Sequence, residues 1–450
     1  MNVPTKGETM PVDQSAGFRW GLSGARLMAS TVAATSGLVV ALLYALSSTT
    51  PALAGDLAAP FSLETTAVLP KGVGNPRFID VRTEIDNKYD GTGTTQALGQ
   101  PLNKQVYWRD VLMTKNNPDE KNEIQAAMAN TGQTANGTAG QTTGQVNTSA
   151  NIFVPVFAFG LTEKLTLAVA VPVVNLDVQV DEGFVANSNG NKFVAYAAEN
   201  KSPQAAEEAQ GQMNNAVQEK LKWAGYEPLQ NFTVNHVADT QLVAKYRAYE
   251  DGVHSAALKM TWILPTGVAP NPDKALDIPT GDGRFGLGAM AIHDMKLPWD
   301  LRWNNWAALT GWSPRTITKR IPYEIDDPIS PDKEEIHENV RSLAQISTGF
   351  EKEFISTGIM VGGAYFGQYL SGRSYDAGVY TSQRYSWLEG LEPSQTLHSF
   401  VATAGISTVN MYNAKKFVYP FQAHLAYAKP FAGRNATTNE LGTAELVLFF

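Results

Sequence analysis

The stretch Gly281-Asp-Gly283-Arg-Phe-Gly286 has the G-x-G-x-x-G spacing that lets a backbone approach a pyrophosphate at a helix N-terminus. That chemistry needs a strand before the glycines and a helix after them. An alternating stretch follows instead, so no dinucleotide is expected. Asp273, Asp277 and Asp282 lie close together, but not at the positions of a calcium loop. The histidines, His236, His254, His293, His337, His398 and His424, include no i, i+4 pair able to hold a metal from one helix face. No P-loop, H-E-x-x-H or G-x-S-x-G run occurs. With 0 cysteines, disulfides, thiolate nucleophiles and cysteine-bound zinc are excluded. The expectation is a protein that is not an enzyme and that uses no cofactor and no metal.

The remaining ionisable residues recur at period two, the spacing of one strand face. Asp239, Gln241, Lys245 and Arg247 lie opposite Leu242, Ala244 and Tyr246, and Lys259 lies opposite Leu258, Met260 and Trp262. Arg302, Arg341, Glu351, His424 and Glu445 alternate with apolar neighbours further on. Near the start, Asp80, Arg82 and Glu84 alternate with Ile79, Val81 and Ile85. With every apolar face turned outward, these polar residues become candidate lining of a lumen. Their signs nearly balance. A ring of one sign would argue an ion-selective pore; mixed signs fit paired structural charges or a polar path for a small solute.

The elements that must position these residues are short strands. The chain has 450 residues, 17% charged and 43% hydrophobic, with a formal net charge of -8. Without a basic run, nucleic acid is not an expected partner. Arg19 and Arg26 precede an apolar run over 27–46, and Ala52-Leu-Ala54 follows it. This order reads as a signal peptide over 1–54, cleaved after Ala54. A lead-in over 55–76, expected in the periplasm, comes next. Residues 77–450 then divide into twelve alternating stretches, beginning at 77–88, 150–161 and 163–178 and ending at 441–450. A further strand at 61–68 or a split elsewhere would bring the number to fourteen. Short links alternate with long ones, the longest insertions falling at 89–149, 179–235, 312–339 and 370–395. Within them, 131–149 is of low complexity and reads as a mobile loop, and 202–223 reads as one loop helix. This one-sided sorting predicts an all-β fold, a transmembrane antiparallel β-barrel with short periplasmic turns and long outer loops. The chain ends Ala444-Glu-Leu-Val-Leu-Phe-Phe450, and its last strand is expected to pair with 77–88, placing Glu445 beside Arg82 or its neighbours. Trp262, Trp299, Trp303, Trp306, Trp312, Tyr365, Tyr369, Tyr419 and Tyr427 mark membrane interfaces, Trp306 falling on the lumen face. Lipid-ester hydrolysis at the outer wall would need Ser and His on one face; His398 and Ser399 are adjacent and therefore on opposite faces.

Two runs, Phe159-Gly-Leu-Thr-Glu-Lys-Leu-Thr-Leu167 with Val171-Pro-Val173, and Ala238-Asp-Thr-Gln-Leu-Val-Ala-Lys-Tyr-Arg247 with Leu264-Pro-Thr-Gly267 and Thr280-Gly-Asp-Gly283, stand out. They resemble the outer-membrane proteins associated with phenol meta-pathway degradation, which belong with the FadL-like transporters. The likeness covers about residues 150–311. It implies a barrel of the Gram-negative outer membrane passing a small, hydrophobic or aromatic organic compound by diffusion. It also implies a kinked third strand that opens the wall sideways. The third stretch here carries Pro172 beside a phase slip near Val174-Asn175, where a bulge is expected, which makes Pro172 the lateral-opening candidate. The implied partners are outer-membrane lipid, the small organic solute and, through the C-terminal strand, the barrel-assembly machinery. The alternative is a structural or adhesive barrel with a plugged lumen and partner-binding loops.

Overall fold

The alternating stretches pair, each with its neighbours in sequence, into one wall. The computed structural model describes residues 64–115, 117–323, 325 and 329–450, so the signal peptide read at 1–54 lies outside the described residues. The wall strands are β1 (Gly74–Ile85), β2 (Thr138–Thr162), β3 (Leu165–Ala170 and Val173–Ala186), β4 (Phe232–Val237 and Thr240–Glu250), β5 (His254–Leu264) and β6 (Gly286–Leu297). The others are β7 (Leu301–Trp312), β8 (Arg341–Phe354), β9 (Ile359–Leu370), β10 (Gln395–Ser407), β11 (Phe421–Arg434) and β12 (Leu441–Leu448). Among the described residues these twelve form a closed antiparallel barrel. Ile79 of β1 faces Val154 of β2 on one side and Glu445 of β12 on the other. The last strand thus closes on the first, as its alternation predicts.

Among the described residues, closure gives each wall strand a partner on both sides, the condition for a sheet to survive in lipid. Phe157, Leu258, Leu309, Phe350, Phe400 and Leu425 are exposed on the outer wall. In water this belt would drive aggregation; facing acyl chains it is matched to its solvent. Among the described residues no helix is long and apolar enough to cross a membrane. Connections sort by length: tight turns join β2 to β3 and β8 to β9, while the links β1–β2, β3–β4 and β7–β8 carry further helices or strands. Both ends of the barrel chain meet on the tight-turn side, where Gly74 N–H donates to Phe450 O at 2.8 Å.

Four local expectations are corrected. Part of the low-complexity stretch is wall: residues 140–153 pair in unbroken register with 173–186. Its Gly, Thr, Asn and Gln residues lack apolar drive, but the partner strand supplies every second hydrogen bond. The third strand itself carries no extra residue near Val174, since β2 keeps one register from Val156↔Ala170 to Phe153↔Val173; the one-residue irregularity beside Pro172 lies on β4. What changes there is the meaning of the faces. Below Pro172, Leu167 points to lipid; above it, Val174, Leu176 and Val178 are buried inside while Asn175 and Asp177 are exposed outside. The loop helix is two, Pro203–Asn214 and Ala216–Trp223, the first capped by Ser202 Oγ accepting from Ala205 N–H at 3.1 Å. Finally, Trp312 is no interface residue: it is buried with Ile263, Leu343 and Leu370.

Candidate solute pathway

Strand parity decides which side chains reach the lumen. On β1 the inward positions are Arg77, Ile79, Val81, Thr83 and Ile85, four of them buried. Asp80, Arg82 and Glu84 therefore lie on the outer wall, contrary to the sequence expectation, with Arg82 donating to Asp80 at 3.1 Å. The sequence rule puts apolar residues in lipid; here they face a packed interior while the polar ones reach water. Glu445 does point inward, but its partner is Arg77 at 2.8 Å, and Arg82 stands opposite Gly442.

The inner half nearest the tight turns holds a cavity of about 850 Å³. Lys245, Lys259, Arg302, Glu351, His424 and Glu445 come together along its wall, joined by Arg77 and Glu353. Small aliphatic residues, among them Val156, Ala158, Ala168 and Val243, share that wall. The described part of the lead-in does not stay outside the barrel. Glu64 accepts from Lys259 Nζ at 2.6 Å and Lys245 Nζ at 3.1 Å, and its backbone carbonyl accepts from Asn304 at 2.6 Å. Two residues on, the Thr66 N–H and hydroxyl both donate to Asp294, each at 2.8 Å. Leu69 N–H donates to Thr166 Oγ1 at 2.8 Å. Burial alone would raise the Glu64 carboxyl, but Lys245 and Lys259 overcome it and hold the group well below the usual carboxylate range. Arg302 pairs with Glu351 on the neighbouring strand. Neither Glu64 nor Arg77 was found by sequence reasoning. For Arg77 the signal existed, its period-two relation to Ile79; for Glu64, in an irregular segment, there was none.

Away from the tight turns the lumen changes character. From Ile79 upward, Val81, Ile85, Val146, Ile152 and Val178 of the wall meet Leu98, Leu102, Leu221, Leu276 and Ile329 from the loops in one buried cluster. Trp306 packs there against Phe366 at 6.0 Å between ring centres. Above this apolar seal the loops are tied by buried charges. Asp282 and Glu338 sit among Arg284, Arg315 and Arg373, with Arg284 reaching Asp282 at 2.5 Å and Arg315 reaching Glu338 at 2.8 Å. These residues come from three different loops, so the pairs lock the loops together. Burial opposes ionisation of Glu338, yet Arg373, Arg315 and Arg284 hold its carboxyl at about 2. Asp239 and Arg341, read as lumen lining, belong to this region: Asp239 accepts from Gly267 N–H at 2.9 Å and Asp282 N–H at 3.1 Å, and Arg341 Nε donates to Ser371 O at 3.3 Å. Arg247 lies at the tight-turn rim, paired with Glu250 at 3.0 Å.

Pro172 is buried on the inner face where β3 is interrupted. Val171 N–H still donates to Pro155 O at 3.1 Å, and Pro172 O accepts from Ala238 N–H at 2.8 Å. Towards β4 the register changes, from Ala170↔Gln241 to Val173↔Val237, so two residues of β3 oppose three of β4.

A closed antiparallel barrel of even strand number, apolar outside and with links sorted by length, defines an outer-membrane protein of the Gram-negative type. No family model matches the chain, and no curated protein matches it. Among solved structures it is similar to the COG4313 outer membrane channel from Pseudomonas putida F1, at 12% identity and a TM-score of 0.47, covering 87% of this chain and 99% of that one. It is also similar to the CymD monoaromatic hydrocarbon channel, at 8% identity and a TM-score of 0.31 over 85% of this chain and 89% of that one. A Pseudomonas aeruginosa FadL homologue matches at 9% identity and a TM-score of 0.30, over 93% and 98% of the two chains.

Proposed function

We propose that this barrel is an outer-membrane channel through which a small hydrophobic or aromatic organic compound diffuses down its gradient. The observation that carries the reading is the series arrangement of the lumen, an apolar seal above a charged cavity. A hydrated ion entering the seal loses its water without compensation, whereas an apolar solute loses little. The cavity below, about 850 Å³, has room for one small organic molecule and lets it leave along a wetted wall. No covalent step and no cofactor is needed. The register change beside Pro172 is the weakest part of the β3–β4 ladder and the proposed site of a sideways exit into lipid. The C-terminal strand, followed by the exposed Phe450, is the proposed contact with the assembly machinery.

The lead-in and loops that occupy the lumen also favour the second reading, a plugged barrel with a structural role. Proteoliposomes separate the two. The channel reading expects saturable uptake of toluene or phenol with small, rare conductance steps in planar bilayers. A barrel that accelerates neither solute over protein-free liposomes overturns it. Unchanged toluene uptake by Pro172→Ala would remove the sideways exit while leaving the channel.

A further inference from the structure

Two like charges stand side by side in the lumen wall. Lys245 of β4 and Lys259 of β5 are direct partners in register, and both line the cavity. Like charges placed directly opposite repel, so the pair calls for an anion between its members. That anion comes from the lead-in and not from the wall. Glu64 Oε1 accepts from Lys259 and Oε2 from Lys245, one oxygen to each ammonium group. A single carboxylate thus serves two positive charges. The neighbouring charges are otherwise engaged: Arg77 pairs with Glu445 and Arg302 with Glu351. Asp294 accepts from the neutral donors Thr66 and Asn304, and Glu353 from Asn410.

The way the lead-in is held permits exchange. Near Glu64 it meets the wall through wall side chains and not through a backbone ladder. Glu64 O accepts from the Asn304 amide, Thr66 N–H donates to the Asp294 carboxylate, and Leu69 N–H donates to the Thr166 hydroxyl. Such contacts open locally, whereas a ladder opens as a cooperative unit. Around the lysines the cavity is apolar. Val243 shares the inward face with Lys245, Ala168 is its partner on β3, and Val156 and Met360 line the same space. Two ammonium groups set in an aliphatic wall are the complement of a carboxylate on an apolar body. Glu64, with Ala67, Val68 and Leu69 following it along the cavity, already has that form.

We propose that Lys245 and Lys259 bind the carboxylate of a small organic acid with an apolar body, which takes the place of Glu64 and frees the lead-in. This deepens the channel reading, on which it rests for the passage of such an acid but not for its binding. In that reading the apolar seal admits the uncharged acid, which ionises beside the lysines as its proton passes to water. Glu64 is then a resident competitor, tethered at an effective concentration on the order of millimolar. Acids therefore bind the unaltered chain more weakly than a chain in which residue 64 is neutral.

Benzoate and benzamide have nearly the same shape and differ in charge. Calorimetric titration of each into the full chain, in nonionic detergent at neutral pH, measures binding without reference to transport. Glu64→Gln is expected to bind benzoate roughly tenfold or more tighter than wild type, and at least tenfold tighter than it binds benzamide. Lys245→Met and Lys259→Met, each made in the Glu64→Gln chain so that no buried carboxylate loses its partners, are expected to remove that preference. Both should keep the heat-modifiable gel migration of the folded barrel. Arg82→Gln, on the outer wall, is expected to leave benzoate binding unchanged. In the wild-type chain, benzoate and not benzamide should speed proteolysis between Glu64 and Pro70. The proposal is overturned if Glu64→Gln shows no saturable benzoate binding or binds it no tighter than wild type does. It is equally overturned if the preference survives both lysine substitutions, or if benzoate leaves the lead-in as protected as before. Toluene uptake by proteoliposomes is a separate result: its failure would remove the channel reading and leave benzoate binding standing.

Discussion

The two halves of the lumen hold charges in opposite ways. Towards the tight turns, Lys245, Lys259, Arg302 and Arg77 line an open cavity and pair with Glu64, Glu351 and Glu445 along its wall. Towards the long loops, Asp282 and Glu338 are almost wholly buried and satisfied by three arginines. Arg77 and Arg302, with side chains 33% and 32% exposed, can rearrange at lower cost than charges buried among the loops. The first arrangement suits passage and the second suits a fixed lid, with the apolar cluster between them setting what can pass. Substitutions on each side should therefore separate stability from permeability.

The largest effect is expected from Glu338→Ala. It leaves Arg284, Arg315 and Arg373 buried around an empty place, and breaking such a pair costs about 3–5 kcal/mol. Limited proteolysis should cut the outer loops rapidly while the wall keeps its heat-modifiable migration; unchanged protease resistance would show that the knot is not what holds the loops. The sign of the acid response follows from the carboxyl, at about 2 in the folded chain against 4.5 when free. Its contribution is full above pH 4.5 and is lost only as the pH falls through about 2. Loop protection is expected to persist at pH 4. Next in size is Leu221→Ala within the seal. Leu221 is 0% exposed, and removing its side chain costs about 3 kcal/mol. In contrast to Glu338→Ala, it should raise the passage of polar solutes through proteoliposomes, because it thins the seal itself.

The same comparison explains how far the sequence could be read. Alternation on β5, β7, β8, β11 and β12 puts Lys259, Arg302, Glu351, His424 and Glu445 on the faces that share one cavity wall, because beside lipid the apolar face must point out. On β1 and the far part of β3 the rule inverts. There the wall rises beyond the apolar belt, water replaces lipid outside and packed loops replace solute inside, so Ile79 and Val178 turn in. A period shows two faces but not which solvent each meets. The loop knot could not be read at all, since Asp282, Glu338 and Arg373 are far apart in the chain and meet only after the barrel brings their loops together. The lead-in was equally silent: nothing in Glu64-Thr-Thr-Ala67 announces two lysines in the lumen.

Glu64→Gln sharpens the cavity side of the comparison. It removes the charge that Lys245 and Lys259 share, side chains only 15% and 12% exposed. Charge-assisted hydrogen bonds of this kind are worth about 2 kcal/mol. The lead-in should detach more often, read as faster proteolysis between Glu64 and Pro70, with little change in barrel stability. Conductance in planar bilayers should rise only modestly, because the apolar seal is untouched. A rise as large as that of Leu221→Ala would mean that the lead-in, not the seal, limits passage.

The smallest effect is expected outside the lumen. Arg82 and Asp80 were read from sequence as lumen charges, and they stand instead on the outer wall, the Arg82 side chain 74% exposed. An ion pair in that setting is screened by water and salt and adds nothing measurable. Arg82→Gln should therefore leave solute uptake, conductance and loop protection as they are. Arg77→Gln, five residues earlier on the same strand but inward and paired with Glu445, should alter the salt dependence of conductance. If Arg82→Gln changed conductance and Arg77→Gln did not, the parity of β1 would be the reverse of the one described. Because β1 is joined in register to both β2 and β12, that reversal would displace every pairing at the seam where the barrel closes.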